Sequence, residues 1–305
     1  MDNRTLIVVN PNAGSGRAGK LWHQIEPMLW KELGELVVAI TQRPEDVAEH
    51  LDKARAAGIS RVIAIGGDGT NHAIVNAIQT LAKADPAAPP MVFGQLPIGT
   101  GRDFSRTLNI PADPEAAVKW ITQANPKPLD LGHLTYDNTS RYFLNIASAG
   151  IGGEVDRRVN ARTKRRPWTF KLATVQALLS YSPKKIKVLL DGVAWYEGKA
   201  WAVVVANGRM FGHGMKIAPN AEIDDGLFDV ILIEDTPRLS AILALNSVYS
   251  GKHLLRDDVH YRQGKVVTVE CQDSAIGLDI DGEHATGNHL NFSVEPGALK
   301  MLVSG

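Results

Sequence analysis

The chain has 305 residues, enough for one large or two medium domains, and its 44% hydrophobic and 22% charged content is that of an ordinary globular protein. Lys plus Arg and Asp plus Glu number 33 each, so bulk charge gives no reason to expect nucleic acid as a partner. One cysteine, Cys271, excludes an intramolecular disulfide framework, the N-terminus runs straight into LIVV with no signal-peptide core, and no apolar run approaches the ~20 residues of a membrane span. These features lead us to expect a cytoplasmic protein that touches a membrane only from outside.

In chain order, TLIVV (5–9), LVVAI (36–40), RVIAI (61–65) and MVFGQL (91–96) read as buried strands. Helices are expected at 20–33 and 44–57, and after Thr70, where Ile74, Val75, Ile78, Leu81 and Ala82 share one helical face. Strands alternating with helices imply a doubly wound parallel sheet whose ligands lie at the carboxyl ends of its strands. After Asn125 the texture changes. YFLNIA (142–147), KIKVLL (185–190), AWAVVVA (200–206), LFDVILI (227–233), KVVTVE (265–270) and IGLDI (276–280) read as strands, with helical interruptions at 153–181 and 238–250. That pattern predicts a second, mainly antiparallel β-sandwich domain. The expected division is 1–126, with 296–305 returning to it, and 127–295.

The loop after the first strand fits two phosphate motifs on paper. Gly14, Gly16 and Gly19 satisfy G-x-G-x-x-G, and Gly14, Gly19 and Lys20 most of a P-loop. Each match fails where its chemistry is carried: LVVAI ends in Thr41, Gln42 and Arg43 with no acidic ribose partner, and Leu21 follows Lys20 where a metal-binding hydroxyl is needed. A glycine-rich turn with no ligand is the plainer alternative for this loop alone. The second loop, Gly66-Gly67-Asp68-Gly69-Thr70, opens a helix with bare backbone amides, a phosphate cradle by geometry. Asp68 makes sense there if a divalent metal bridges it to nucleotide phosphates. Pro97-Ile-Gly-Thr-Gly-Arg-Asp103 repeats the recipe at the next strand end, so three glycine loops should converge on one crevice.

The ordered elements NPNAG (10–14), GGDGT (66–70), PIGTGRDF (97–104), IDDGLFDV (223–230) and DGE (281–283) resemble the diacylglycerol-kinase catalytic-domain family, most closely its bacterial soluble lipid kinases. Sphingosine and ceramide kinases are related, and NAD kinases more distantly. The resemblance spans essentially the whole chain. It implies that Asn10, Pro11, Asn12, Ala13, Gly14, Thr41, Gly66, Gly67, Asp68, Gly69, Thr70 and Thr100 surround ATP. It further implies an Mg²⁺ site from the Asp225 carboxylate and the backbone carbonyls of Glu222 and Leu227. Asp130 resembles a carboxylate of the same network. In DGE, Asp281 and Glu283 fall at catalytic positions with Glu283 as general base, and Asp68 serves Mg-ATP. One departure stands out: Arg102 occupies the place of an Asn in the family's third element. For the Asp225-Gly226 and Asp281-Gly282 dipeptides, a plain hairpin turn is the alternative.

Between Glu154 and Lys187 ten Lys and Arg face two acids, and the cluster borders Trp168, Phe170, Leu172, Leu178, Leu179 and Tyr181. This segment, 157–187, is the expected peripheral contact with the inner membrane surface; a solvated helix packed on the core is the alternative. The functional expectation is an ATP- and Mg²⁺-dependent transfer of a γ-phosphoryl group to a hydroxyl of diacylglycerol or a related membrane lipid. Nucleic acid is not an expected partner, and a homodimer stays open. The rivals are an NAD kinase and a catalytically idle binder of nucleotide and lipid, for which Arg102 is the best argument.

Overall fold

The structure, a computed structural model, describes residues 4–162, 168–272 and 274–304. The chain divides into two units, Met1–Leu129 with Gly297–Gly305, and Asp130–Pro296.

In the first unit, β1 (Thr5–Val9), β2 (Leu36–Ile40), β3 (Arg61–Gly66), β4 (Val92–Pro97) and the end of β15 (His289–Val303) form a parallel sheet in the order β15-β4-β3-β1-β2. Helices α1 (Ala13–Leu33), α2 (Asp46–Ala56), α3 (Asp68–Ala84), α4 (Asp103–Thr107) and α5 (Pro114–Gln123) make the crossovers. All five residues of β1 are buried, as both faces of a central parallel strand demand, whereas edge strand β2 alternates between buried and exposed. The chain runs from β1 out to β2 and then back to β3 on the other side of β1. The order of the sheet therefore reverses between β1 and β3, where an open α/β sheet leaves a crevice at its carboxyl edge.

The second unit is the antiparallel β-sandwich expected from the sequence. Its path is β14 (Glu283–Gly287), β13 (Ile276–Ile280), β7 (Ile146–Gly150), β9 (Val193–Ala206), β8 (Lys184–Leu190), β12 (Val266–Cys271) and the start of β15. β10 (Phe228–Glu234) pairs with β9 and with β11 (Val259–Gly264), and β5 (Asn125–Tyr136) with β6 (Thr139–Phe143). The unbroken apolar run at the end of β9 is explained by burial on both faces. Val203 and Val205 enter the main sandwich core, while Ala202, Val204 and Ala206 join a second cluster on the opposite face. Helices α6 (Ile151–Asn160), α7 (Thr169–Ser180) and α8 (Arg238–Tyr249) complete the unit.

Two expectations change. The helical stretch 153–181 is two helices, and Lys164, Arg165 and Arg166 of the basic cluster lie outside the described residues. YFLNIA is not one strand: β6 ends at Phe143 and β7 starts at Ile146, because the Leu144 and Asn145 N–H groups donate to the Asp281 carboxylate instead of to a strand partner. Where the texture changes, β5 starts at Asn125, and both of its prolines precede its ladder with β6, which begins at Gly132.

At the sandwich centre Phe143 is fully buried, stacked on Phe228 at 5.6 Å and edge-on to Phe292 at 6.4 Å. Phe143→Ala is expected to lower the unfolding free energy by about 3–5 kcal/mol, read as a shifted denaturation midpoint with an unchanged slope.

Candidate active site

The three glycine loops touch. Asn10, directly after β1, donates from Nδ2 to Thr70 Oγ1 at 3.2 Å, and its Oδ1 accepts the Asn12 N–H at 3.1 Å. One side chain thereby fastens the first loop to the second. Gly14, Ser15 and Gly16 follow with φ of 62°, 59° and 84°, a left-handed run that delays the regular part of α1. A Cβ on Gly14 would stand 2.5 Å from the Ile98 carbonyl oxygen, which joins the first loop to the third. The second and third meet more closely: a Cβ on Gly99 would lie 2.5 Å from the Gly67 Cα.

What these contacts leave open is backbone. Helix α3 begins at Asp68 with Gly67 as its N-cap, so no cap side chain covers its first amides, and its 17 residues direct their dipole at that end. Gly66, Gly67, Asp68, Gly69 and Thr70 thus place an uncapped helix N-terminus, the end whose dipole favours anions, at the reversal point of the sheet. Asp68 is half-buried, and a Cβ on Gly101 would stand 2.6 Å from its Oδ2, so the carboxylate lies directly over the third loop. Thr100 is half-buried in that loop. Pro11 and Ala13 are half-buried and Asn12 exposed. Thr41 is only 4% exposed and its hydroxyl donates to the Val9 carbonyl, so it offers a ligand only oxygen lone pairs.

Arg102 holds a left-handed backbone at φ 59°, a conformation that suits Asn better than most residues. Its Nη2 donates to the Pro111 carbonyl at 3.1 Å. Burial first, then the Arg106 and Arg17 charges, lowers its pKa, and Asp68 partly offsets them. Arg106 bonds the Gly101 carbonyl and Asp103 Oδ1, each at 2.7 Å, which fixes the loop from behind. The departure from the family pattern therefore adds a cation beside Asp68 without breaking the loop.

In the second unit, the Asp225-Gly226 dipeptide is not a hairpin. Asp225 Oδ1 accepts the Leu227 N–H at 3.0 Å, and buried Asp130 accepts the Gly226 N–H at 2.7 Å while its own N–H donates to Ile223. Asp130 and the 222–227 loop are thus brought together. Glu222 and Asp225 are exposed, and residues 220–230 contain no Lys or Arg. Burial raises the pKa of Asp229; its Tyr261 and Gln263 hydrogen bonds lower it, and the Asp225 and Glu222 charges raise it further. Among the described residues no three His, Cys, Asp or Glu side chains group as metal ligands. Any ion at this loop would therefore rest on one carboxylate plus backbone carbonyls. That all-oxygen set, in a locally anionic loop, fits a hard divalent cation.

Asp281-Gly282 is a two-residue hairpin turn, with φ of 54° and 90° joining Ile280 to Glu283. Glu283 stands exposed at the start of β14. Asp281 is engaged: its carboxylate accepts the N–H groups of Leu144, Asn145 and Ile146 at 2.7, 3.0 and 3.1 Å. Asp191, in the other Asp-Gly hairpin, accepts two N–H groups of the neighbouring strand in the same way. This geometry gives Asp281 the part of an anchor for the turn that presents Glu283, rather than of a proton acceptor. Below it, Asp279 is 6% exposed, accepts the Gly282 N–H at 2.8 Å and has its pKa raised, chiefly by burial.

Two organising residues escape sequence reasoning. Fully buried Asn207 donates to the Asp130 and Leu144 carbonyls, and Asn145 to Met210. Their only signal was a polar residue interrupting or ending an apolar run.

The profile of the diacylglycerol kinase catalytic domain matches residues 4–134, and that of the YegS C-terminal NAD kinase beta sandwich-like domain matches 145–303. The chain belongs to the diacylglycerol kinase family. It is 30% identical over 307 residues to the diacylglycerol kinase of Mycobacterium tuberculosis (strain CDC 1551 / Oshkosh), covering 98% of this chain and 94% of that one. The probable lipid kinase YegS-like of Pseudomonas aeruginosa PAO1 is 31% identical over 271 residues, 88% of this chain and 84% of the relative. A crystal structure of a diacylglycerol kinase from Bacillus anthracis str. Sterne superposes with a TM-score of 0.75 at 25% identity, covering 99% and 97% of the two chains. Membership in this kinase family makes the chain a phosphotransferase and implies ATP as its donor.

Gly99→Ala forces the second and third loops apart through backbone atoms, an overpacking that costs about 1–3 kcal/mol. Calorimetric titration with Mg-ATP is expected to show affinity reduced roughly tenfold or more.

Proposed function

We propose that this diacylglycerol kinase-family member is an ATP- and Mg²⁺-dependent lipid kinase that phosphorylates a hydroxyl of diacylglycerol or a related lipid. The observation that carries the acceptor class is an apolar cavity of about 120 Å³ in the second unit. Phe170, Leu178, Trp201, Val204, Phe211 and Val248 are among its walls, and Ser148 and Asp279 lie at its border. It approaches the size of engineered apolar cavities that stay dry and admit benzene. A hydrocarbon chain suits such walls; a soluble dinucleotide, which is polar over most of its surface, does not.

The first unit would bind the nucleotide. The Gly67, Gly69 and Thr100 amides, which have no carbonyl acceptor in the loops, would receive phosphate oxygens, with Asn10–Gly14, Thr41 and Thr70 bordering them. Asp68 would hold the ion of Mg-ATP, and Asp225 with the Glu222 and Leu227 carbonyls would hold a second ion in the second unit that is structural and takes no part in the transfer. Divalent cations supply charge neutralisation to a transferring phosphoryl group when bound. The acceptor hydroxyl attacks the γ-phosphorus and passes its proton to the Glu283 carboxylate. The new oxygen–phosphorus bond forms as the β,γ-bridging bond breaks, and ADP leaves. Asp281 and Asp279 hold the turn on which Glu283 stands, and their buried bonds fix its position. Such positioning matters because a base must come within hydrogen-bond reach of the proton it accepts.

Lipid presented in a bilayer requires peripheral contact. No helix among the described residues is long and apolar enough to cross one. Segment 157–187 was expected to make that contact, but Arg157 and Arg158 both pair with Glu154, and Arg162 bonds Gln176. Its described cations are thus partly occupied within the protein.

Two outcomes test this function. With radiolabelled ATP, label is expected in diacylglycerol or another hydroxyl lipid; label in NADP alone, or in no acceptor, contradicts the proposal. Glu283→Gln is expected to lower turnover ~10²–10⁴-fold with Mg-ATP affinity unchanged, and wild-type turnover in that variant would remove Glu283 from the mechanism.

A further inference from the structure

Helix α8 (RLSAILALNSVY) is apolar almost all round, yet none of its residues is buried. A helix of that composition ordinarily lies in a core or against lipid. One side is accounted for: Ala241, Ala244, Leu245 and Val248 line the apolar cavity. The other side presents Leu239 and Leu243, spaced i and i+4 and 69% and 72% exposed. Leu255, in the 3-10 turn that follows, is 85% exposed.

Helix α7 continues this surface. It runs antiparallel beside α8, with Lys171 Nζ at 3.4 Å from Asn246 Oδ1 and Arg238 Nη2 at 3.3 Å from the Tyr181 carbonyl. Trp168, Leu172 and Leu179 form its exposed stripe, and its other side, including Phe170, Thr174 and Leu178, lines the same cavity. The two helices that wall the cavity therefore also carry the unpartnered leucines.

Charge decides between occupants. Residues 168–183 and 238–255 contain Lys171, Arg238 and Lys252 and no Asp or Glu; the flanking positions add Lys184, Lys185 and Arg256 against Asp235, Asp257 and Asp258, which leaves a cationic excess. A second copy docking here about a two-fold axis would set this net cationic surface against itself, which is unfavourable. An anionic bilayer is complementary to it, with hydrocarbon for the leucines and phosphates for the cations.

We propose that the outer face of α7 and α8, led by Leu239, Leu243 and Leu255, inserts into the surface of an anionic membrane, so that the helices walling the apolar cavity are the ones seated in lipid. This rests on the lipid-acceptor reading for its biological sense, and it assigns docking to an apolar face instead of the basic segment alone.

The test is co-sedimentation of the full chain with vesicles of phosphatidylglycerol and phosphatidylcholine in equal parts, which is read without turnover. Leu239→Ser/Leu243→Ser is expected to weaken binding roughly tenfold or more, with the melting temperature and phosphorylation of dispersed short-chain diacylglycerol retained. As a folding-independent arm, Leu243→Trp is expected to keep binding and to shift its fluorescence to the blue on these vesicles. Unchanged binding in the double variant, no shift from the Trp, or equal binding to pure phosphatidylcholine vesicles overturns the proposal. So does a wild-type dimer that the double variant abolishes while vesicle binding persists, since a second copy would then be the occupant. Vesicle binding lost in the double variant, with no lipid phosphorylated by the wild type, supports the docking face and sinks the acceptor reading instead.

Discussion

The backbone contact between Gly67 and Gly99 is the constraint on which the nucleotide end of this protein depends. β3 lies between β1 and β4, so the loop leaving β3 is the one placed to touch both of the others. A Cβ on Gly99 would fall 2.5 Å from the Gly67 Cα, so the loops meet with no side chain between them. The start of α3 is thereby set at the reversal of the sheet with no side-chain cap on it, although the Thr70 amide already bonds the Gly67 carbonyl. Asn10 then closes the arrangement from the β1 side through Thr70. Fixed dipoles held in this way favour phosphate before any ligand arrives, because little reorganisation is left to oppose binding.

The second unit solves a different problem. Its central strands, β7 and the end of β9, bury both faces, yet its loops must present polar groups at defined positions. Buried polar side chains do this: Asp130 secures the 222–227 loop, Asn207 ties Asp130 to Leu144, and Asp281 collects three successive amides beside them. Each bond satisfies a group that would otherwise be costly to bury. The cavity lies apart from this network's carbonyl bonds, where small residues such as Gly152, Ala202, Ala241 and Ala244 leave space among larger ones.

Much of this was legible in the chain. Each of β1 to β3 is an apolar run ended by a polar or glycine loop, so strand, loop and helix could be placed from periodicity alone. The even apolar texture of 200–206 correctly signalled a buried strand. Contacts that depend on topology were not legible: nothing near Gly99 in sequence announces Gly67. The Asp-Gly pairs are instructive, since the three that lie outside the glycine loops adopt two structures. Asp191 and Asp281 take φ of 50° and 54° in hairpins, whereas Asp225 turns its carboxylate onto the Leu227 amide. Which applies is set by the partner strand, present for the first two and absent for the third. Likewise α8 was readable as a helix, but its lack of buried residues emerges only once its neighbours are placed.

The account's central claim is that the backbone amides of the glycine loops hold the nucleotide phosphates. Amide hydrogen exchange on the intact chain, with and without Mg-ATP, measures this at the groups concerned. With the far end of α3 and the amides already bonded within the loops, such as Thr70, Ile98 and Gly99, unchanged, the account predicts slowed exchange at Gly14, Gly67, Gly69 and Thr100. Nucleotide that binds while those amides exchange at their ligand-free rate would contradict it.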